Sequence, residues 1–433
     1  PSTQFIGMED YNGVFATGFP FVAGWQDPNF AWKAVQNGWL TTDSTLNSPF
    51  VLTHNENLTL RSTIEPLPGF RIELTGRRNK SSNKNEFYIP DSFGNYNAYN
   101  PQTTGNFSIS VITLKSAFEN SNSKNNYTSS TFEQFRKNRE AIAWRLARER
   151  ERASSIYNPG SGAFPDGYDE LSQEVLFYSF LSAYTGASPE DMSLKNFPIF
   201  PMPNWMITYD GLAKLKPFRK HLRTFTVRHS YNSIFTIGSF ASNLRYEPGD
   251  DGFSYVRDIN EINFVPQYEI TNVSINEQFN PLFGLDATWV NSLTNRFEIK
   301  SSRALAMSFA NNQLSETKSW ELIVGSGYRF ENVPLIFGTA SGDQRTLKSD
   351  LRVNVDFSLR NNFTILRKLV EETNTASAGQ NIITIKTSAE YVVSEQVTIR
   401  AFFDRVVNKP LVALSYPTAN TSFGFSVRFT MVQ

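Results

Sequence analysis

The residues of this chain that could perform chemistry are few, and their spacing fits no common active site. The three histidines, His54, His221 and His229, do not lie at the spacing of paired metal ligands. The segment 325–327 reads Gly-Ser-Gly inside a strand-like stretch, and it lacks the Gly-x-Ser-x-Gly turn and the following helix of a hydrolase. We therefore expect no enzyme activity, no cofactor, and no catalytic, cofactor-binding or metal-binding residue.

One acidic cluster and the overall charge balance narrow the choice of partners. Glu247, Asp250 and Asp251 could offer oxygen ligands to calcium, but they lack the spacing of an EF-hand, so a solvated turn is the preferred interpretation. Lysine and arginine number 41, as do aspartate and glutamate, and this zero net charge argues against a nucleic-acid partner. The absence of cysteine excludes disulfides and thiolate sites.

The elements that carry the chain's strongest pattern are strands with one apolar and one polar side. In 423–431, phenylalanine, valine and methionine alternate with glycine, serine, arginine and threonine, and a strand shows its two faces with this period of two. Tilted strands of about 9–11 such residues build bacterial outer-membrane barrels. We predict that one alternating set faces lipid and takes part in the barrel insertion signal: Phe423, Phe425, Val427, Phe429 and Met431.

The clearest alternation lies in 351–360. Val353, Val355 and Phe357 share one side with two leucines, and we predict that they also face lipid. The other side carries Arg352, Asp356 and Arg360, for which we predict an aqueous lumen, because charges against lipid would be costly.

The composition agrees with a two-faced β protein. Phenylalanine (37), tyrosine (17) and tryptophan (7) are frequent although the mean hydropathy is −0.36, and no apolar run is long enough for a transmembrane helix. We predict an all-β fold, part of a transmembrane antiparallel β-barrel, with an extracellular insertion that contains α-helices.

The order of strand-like and helical patterns along the sequence predicts four segments. Residues 1–56 are predicted to form an extracellular loop or cap with a short helix near 29–35, and 57–89 a barrel hairpin with its turn at 65–69. Residues 90–202 are predicted to form the extracellular insertion, with helices near 131–153 and 173–184. Residues 203–433 are predicted to supply the C-terminal barrel strands. The Arg/Glu-rich helix is interpreted as a solvated surface, with an anion-binding site as the alternative.

The predicted connections set the orientation and the strand count. If the C-terminus is periplasmic, the turns at 394–396, 291–295 and 65–69 lie inside, with a longer inner connection at 331–348, and long loops lie outside. Two strands before the insertion and nine after it make eleven, an odd number that favours a fragment of a larger barrel.

A set of ordered phrases carries a family resemblance that spans nearly the whole chain. They resemble the C-terminal region of the type 9 secretion system outer-membrane translocon, the SprA/Sov family of Bacteroidetes. The phrases, with their positions, are NGWLT (37–41), LNSPF (46–50), EPLPGFRIELT (65–75), GNFSI (105–109), FPDG (164–167), PNWMITYDGL (203–212), EQFNPL (277–282), NNQL (311–314), GYRF (327–330), DFSLR (356–360), VNKP (407–410) and FSVRFT (425–430).

The resemblance implies a function without catalysis. Members of this family form a very large single-chain barrel in the outer membrane of a Gram-negative, Bacteroidetes-type bacterium, and they serve protein secretion and gliding motility. Folded cargo with a C-terminal secretion signal passes through the barrel and leaves by a lateral opening. The implied partners are the preceding barrel strands of the full-length protein, a PorV-like shuttle barrel, a periplasmic plug protein, secreted cargo proteins and outer-membrane lipid.

Two alternatives remain open from the residues. A self-contained outer-membrane solute transporter barrel would need an even number of strands, and a soluble all-β surface-binding module would need detergent-free solubility. One feature departs from the family pattern, because residues 431–433 read Met-Val-Gln where outer-membrane barrels commonly end in an aromatic residue.

Overall fold

A computed structural model describes most of the chain. The described residues are 10–11, 14–15, 27, 29–36, 40, 49–90, 96–119, 121–153, 157–259, 262–338, 344–394, 396–412 and 416–430. Within these ranges, none of the helices combines the length and the apolar character needed to cross a bilayer.

Long strands dominate the secondary structure, and the helices are concentrated between residues 114 and 185. The helices are α1 (Phe30–Gln36), α2 (Leu114–Ala117), α3 (Ser130–Ala153) and α4 (Gln173–Thr185), with 3-10 turns at Ser123–Asn125 and Gly211–Lys214. The strands are β1 (Asp10–Tyr11), β2 (Val14–Phe15), β3 (Phe50–Leu67), β4 (Phe70–Pro90), β5 (Tyr96–Ser110), β6 (Asn204–Tyr209), β7 (Leu222–Ser242), β8 (Tyr268–Ile270), β9 (Asn272–Trp289), β10 (Leu293–Ser308), β11 (Gln313–Gly338), β12 (Gln344–Lys368), β13 (Thr373–Val392), β14 (Val397–Pro410) and β15 (Thr418–Phe429).

The strands from β3 onward form one antiparallel sheet of 13 strands, which confirms the prediction of an all-β fold. Its main path runs β15-β14-β13-β12-β11-β10-β9-β7-β5-β4-β3, which gives eleven strand positions. Among the described residues, no pairing joins β3 to β15, so these two strands are the edges of the sheet.

The position between β4 and β7 is filled by two strands that act as one interrupted strand. β5 pairs with residues 78–90 of β4 and 234–241 of β7. β6 runs in the same direction as β5 and pairs with the other halves of the same two strands, residues 70–75 and 227–231. The helical segment (residues 111–203) leaves the sheet after Ser110 and returns at Asn204. Residues 96–110, which the sequence assigned to the insertion of 90–202, pair with β4 and β7 as strand β5 and so belong to the sheet.

Several strands extend beyond their predicted ends. β3 begins at Phe50 rather than at residue 57, and it pairs with β4 from there. The predicted inner connection at 331–348 is wrong, because β11 and β12 continue to pair through this region down to Gly338 and Gln344. Pairing with a regular neighbour extends these strands although their own alternation is weak.

The predicted short turns do lie at one end of the sheet. The connections β3–β4, β9–β10 and β13–β14 share the end that we call the lower end, as does Thr430, whose amide donates to the carbonyl of Gln396. The opposite, upper end also has tight turns, at 309–312 and 369–372, so short connections are not confined to one end as the sequence suggested.

The helices form because their apolar faces pack on the sheet. Glu119 accepts the backbone amide of Thr131 at 3.2 Å, and the Ser129 hydroxyl accepts that of Phe132 at 3.0 Å, which satisfies the start of α3. Gly186 ends α4 in the left-handed conformation with φ of 69°. The helices and the upper part of the sheet share one core, which includes Phe107, Ile109, Phe132, Phe135, Ile142, Leu176, Phe177, Phe180, Phe235, Ile237, Val273 and Ile275.

Candidate functional site: the two faces of the sheet

The register of the sheet assigns every strand residue to one of two faces. Residues directly opposite each other on neighbouring strands point to the same side, and the next residue along points to the other side. We name the side that carries Val355 the apolar face, and the side that carries Asp356 the polar face.

The apolar face unites the predicted residues of β12 with those of β15. Phe423 pairs with Phe403, which pairs with Thr387, which pairs with Val355. The same ladders place seven of the eight candidates on this face: Val353, Val355, Phe357, Phe423, Phe425, Val427 and Phe429. The eighth, Met431, lies outside the described residues. Contact of this face with lipid stays a prediction.

These apolar side chains are exposed, although water is an unfavourable neighbour for them. Phe423 and Phe425 are 79% and 82% exposed, and Val355 in the middle of the sheet is still 45% exposed. The values on β15 are highest because β15 is an edge strand. Contiguous apolar surface of this kind marks an interaction site.

The same surface crosses all eleven strand positions as an apolar belt. Its interior is aliphatic and phenylalanine-rich, with Ile64, Ile72, Ile207, Val227, Leu285, Phe297, Ile299, Leu322, Val324, Val355 and Phe357.

Aromatic pairs border the belt on both sides. At the lower border, Tyr328 and Phe330 have ring centroids 4.6 Å apart. At the upper border, the ring of Tyr231 lies 4.5 Å from that of Trp205 and 5.0 Å from that of Phe279.

The dimensions of the belt can be worked out from the register. On β11 it runs from Leu322 to Phe330, eight residue steps or about 26 Å along the strand. Its upper limit descends from Leu322 on β11 to Phe423 on β15, whose ladder meets β11 at Ser326, four residues lower. A descent of about 13 Å over four strand spacings of about 4.8 Å gives a strand tilt of about 35°, and hence a belt height of about 22 Å.

The polar face carries Arg352, Asp356 and Arg360, as the alternation indicated. Arg360 donates to both carboxylate oxygens of Glu321 on β11, each at 3.0 Å. Toward β7, Glu298 is surrounded by cations, with Arg228 at 2.9 Å and Arg296 at 2.8 Å. Arg360 and Arg228 thus meet carboxylates on other strands, and Arg296 meets Glu298 on its own strand. An aqueous lumen in front of the face stays a prediction.

Above the belt, on the same apolar face, the helical segment covers ion pairs that the sequence reasoning did not find. Arg367 lies 2.6 Å from Glu316, and Arg303 lies 3.0 Å from Glu277; all four side chains are at most 3% exposed. The signal in the sequence is a charge at an otherwise apolar position of the alternation, as at Arg303 before Leu305.

Arg150 is an exception to the interpretation of α3 as a solvated charged helix, which holds for the exposed Glu140, Arg148, Glu149, Glu151 and Arg152. Its side chain is only 2% exposed, and its guanidinium lies 3.7 Å from the ring centroid of Phe264 and 4.8 Å from that of Phe253. It donates to the carbonyl of Ser254 at 2.8 Å. The aromatic cage and this bond hold the loop after β7 against the helix.

A cavity of about 460 Å³ lies between the helices α3 and α4 and strand β4, and its lining includes Arg78, Lys80, Arg150 and Glu174. Burial raises the pKa of the Glu174 carboxyl to about 7, and the charge of Arg150 opposes part of this rise. The acidic cluster of the sequence forms a plain turn, in which Asp251 accepts the amide of Phe253 at 3.0 Å.

Comparisons with known proteins add little to this geometry. No protein-family model matches the chain, and no curated protein does. One of the solved structures it resembles is the in-vitro folded trimer form of OmpT, an outer membrane protein of Vibrio cholerae, at 7% identity. The likeness covers 88% of this chain and 99% of that one, with a TM-score of 0.22.

Proposed function

We propose that this chain forms part of the wall of a large outer-membrane β-barrel, with the apolar belt against lipid and the polar face toward an aqueous interior. The observation that carries this proposal is the separation of the two faces across eleven strand positions. A soluble sheet with this belt would expose large apolar side chains to water on every strand. Contact of the belt with lipid would remove the free-energy cost of exposing these side chains to water.

The dimensions support the same proposal. A strand tilt of about 35° and a belt of about 22 Å are close to the tilts of about 35–45° and the apolar bands of about 25 Å of outer-membrane barrels. The aromatic borders correspond to the girdles that such barrels place at both membrane interfaces. The polar face suits a water-filled lumen, because it carries charged side chains such as Arg352, Asp356 and Arg360.

The size of the sheet favours additional strands at its two edges. Eleven strands at about 4.8 Å spacing and about 35° tilt would close to a circumference of about 65 Å and a diameter of about 20 Å between backbones. A folded domain of 100 residues has a radius of gyration of about 13 Å, so it would not pass. We propose that β3 and β15 pair with further strands, namely the preceding barrel strands of the full-length protein.

The finer proposal is a protein-conducting translocon of the type 9 secretion system, and it depends on the resemblance of the sequence to the SprA/Sov family. The polar face would then be the wall along which folded cargo with a C-terminal secretion signal passes. The lateral opening, the PorV-like shuttle barrel, the periplasmic plug and the Bacteroidetes-type outer membrane belong to the same proposal. A wall of charged and polar side chains offers passing proteins little apolar surface to adhere to.

Site-specific photo-crosslinking in cells tests the proposal. A photoreactive residue is placed at Asn354 on the polar face or at its neighbour Val355 on the apolar face of the full-length protein. A fluorescent protein with a C-terminal secretion signal serves as the cargo. We expect cargo crosslinks from position 354 and none from position 355.

Two outcomes would contradict the proposal. Secretion of the cargo without crosslinks from position 354 would argue against conduction along this wall. Recovery of the protein as a monomer without detergent would argue against the membrane location.

A further inference from the structure

A strip of exposed apolar residues lies in the helical segment where the chain returns to the sheet. Ile199, Phe200 and Met202 are 56%, 81% and 53% exposed. Prolines at 198, 201 and 203 alternate with them and restrict the backbone of the strip. These side chains are therefore held in the open by a stiff segment, where a soluble surface would carry polar residues.

Backbone contacts fix this strip over β4. The Arg78 Nε donates to the carbonyl of Pro198 at 2.9 Å, and the amide of Met202 donates to the carbonyl of Ser110 at 2.9 Å. Pro201 packs so closely on Gly76 that a Cβ there would lie 3.2 Å from the proline ring. Gly76 and Arg78 share the apolar face with Ile72, so the strip covers that face.

The strip adjoins the upper border of the apolar belt. Gly76 pairs with Leu60 and Arg78 pairs with Leu58, and these two leucines on the edge strand β3 are 51% and 37% exposed. Farther along the sheet, Phe118 of the helical segment is 61% exposed, and its ring lies 5.1 Å from that of Phe279 at the upper border.

We propose that these four residues of the helical segment, Phe118, Ile199, Phe200 and Met202, form an interfacial lip that inserts into the headgroup region of the leaflet at the upper border. Aromatic and aliphatic side chains on a fixed support bind at this depth, between water and the acyl chains. The exposed Lys195 lies five residues before Phe200 and suits the anionic groups of a lipid surface.

The consequence concerns where the helical segment sits. It lies on the membrane surface beside the barrel, on the lipid side of the wall, and leaves the polar face uncovered. This inference rests on the proposed function, because the lip can contact lipid headgroups only if the apolar belt lies in a membrane.

Fluorescence quenching by labelled lipids tests the lip, and the absence of cysteine makes single-cysteine labelling of this chain specific. Phe200→Cys, Val355→Cys and Val370→Cys are each labelled with bimane. The full-length protein is then placed in phosphatidylethanolamine–phosphatidylglycerol vesicles with nitroxides at carbon 5 or carbon 12 of the acyl chain. Ile199→Cys provides a second lip position.

The expected pattern distinguishes the lip from the belt. Position 200 should lose more emission with the carbon-5 nitroxide, and position 355 more with the carbon-12 nitroxide. Position 370, in the upper β12–β13 turn and 60% exposed, should lose none. Quenching at position 355 with none at positions 199 and 200 would overturn the proposal that the lip inserts into the membrane. It would leave the lipid contact of the belt intact, and the strip would then be covered by water or by a bound protein. No quenching at any position would overturn the proposed function as well.

Discussion

Replacing Val355 by arginine should destabilise the protein strongly, because Val355 lies at the middle of the belt on β12. Four belt positions surround it on the same strand, from Leu351 to Leu359, and the side chain is 45% exposed on the apolar face. A lysine or arginine at the midplane of an outer-membrane barrel costs about 2–4 kcal/mol. We expect a loss of this size in the free energy of unfolding.

Asn354→Arg is the matched control, one residue away on the polar face. Its cross-strand neighbours are Gly327 and Ser388, and Glu390 lines the same shallow cleft. An arginine there remains in water and has room and a carboxylate nearby. We expect a change within about 0.5 kcal/mol, as for other surface substitutions.

Urea unfolding of the full-length protein in lipid vesicles measures both variants under one condition. A difference of about 2–4 kcal/mol corresponds to about a 30- to 700-fold change in the folding equilibrium, since about 1.4 kcal/mol is tenfold. Equal losses at positions 354 and 355 would refute the assignment of faces. A larger loss at 354 would reverse it.

Three further predictions concern the helical segment and an ion pair of the sheet that it covers. Arg367→Met should lower the free energy of unfolding in urea titrations by an amount near the lower end of the about 3–5 kcal/mol that breaking a buried ion pair costs, because Glu316 then keeps only Lys318 at 3.1 Å. The double variant with Glu316→Leu should recover part of this loss. The pKa of Glu174 is raised from 4.5 to about 7 in the folded state, so the folded state binds more protons than the unfolded state and stability should fall as the pH rises from about 4.5 to 7. Hydrogen exchange of the α4 amides should show this decrease of stability with pH, and Glu174→Gln should remove it. Gly167→Ala should cost about 1–3 kcal/mol in the same titrations, because φ is +82° and the new Cβ would meet the Phe264 ring, whereas Gly160→Ala, with φ of +73° but open space, should cost less.

The alternation in the sequence was sufficient to assign the two faces. Apolar and polar residues alternate strictly from Leu351 to Arg360. The pairing from β12 to β15 carries this alternation across the strands, because their register has no shift between residues 351 and 364 of β12 or in the β13–β14 and β14–β15 pairs. Local pattern is informative here because each side chain meets one environment along the whole stretch.

Long-range pairing explains most of what the sequence did not predict. Residues 373–381 of β13 are small and polar with no alternation, yet they form a strand because β12 offers a regular edge. β5 and β6 lie about 90 residues apart in sequence, and only their shared neighbours reveal them as one interrupted strand. The burial of Arg150 and Arg367 depends on contacts with distant elements, which a helical or strand period does not encode.

A cysteine scan of 351–360 tests the central claim most directly. Ten single-cysteine variants of the full-length protein in vesicles are assayed for reaction with a membrane-impermeant maleimide and, after bimane labelling, for quenching by nitroxide lipids. Our account predicts strict alternation, with quenching at the odd positions and maleimide reaction at the even ones. Maleimide reaction at all ten positions, with no quenching at Val353, Val355 or Phe357, would contradict it.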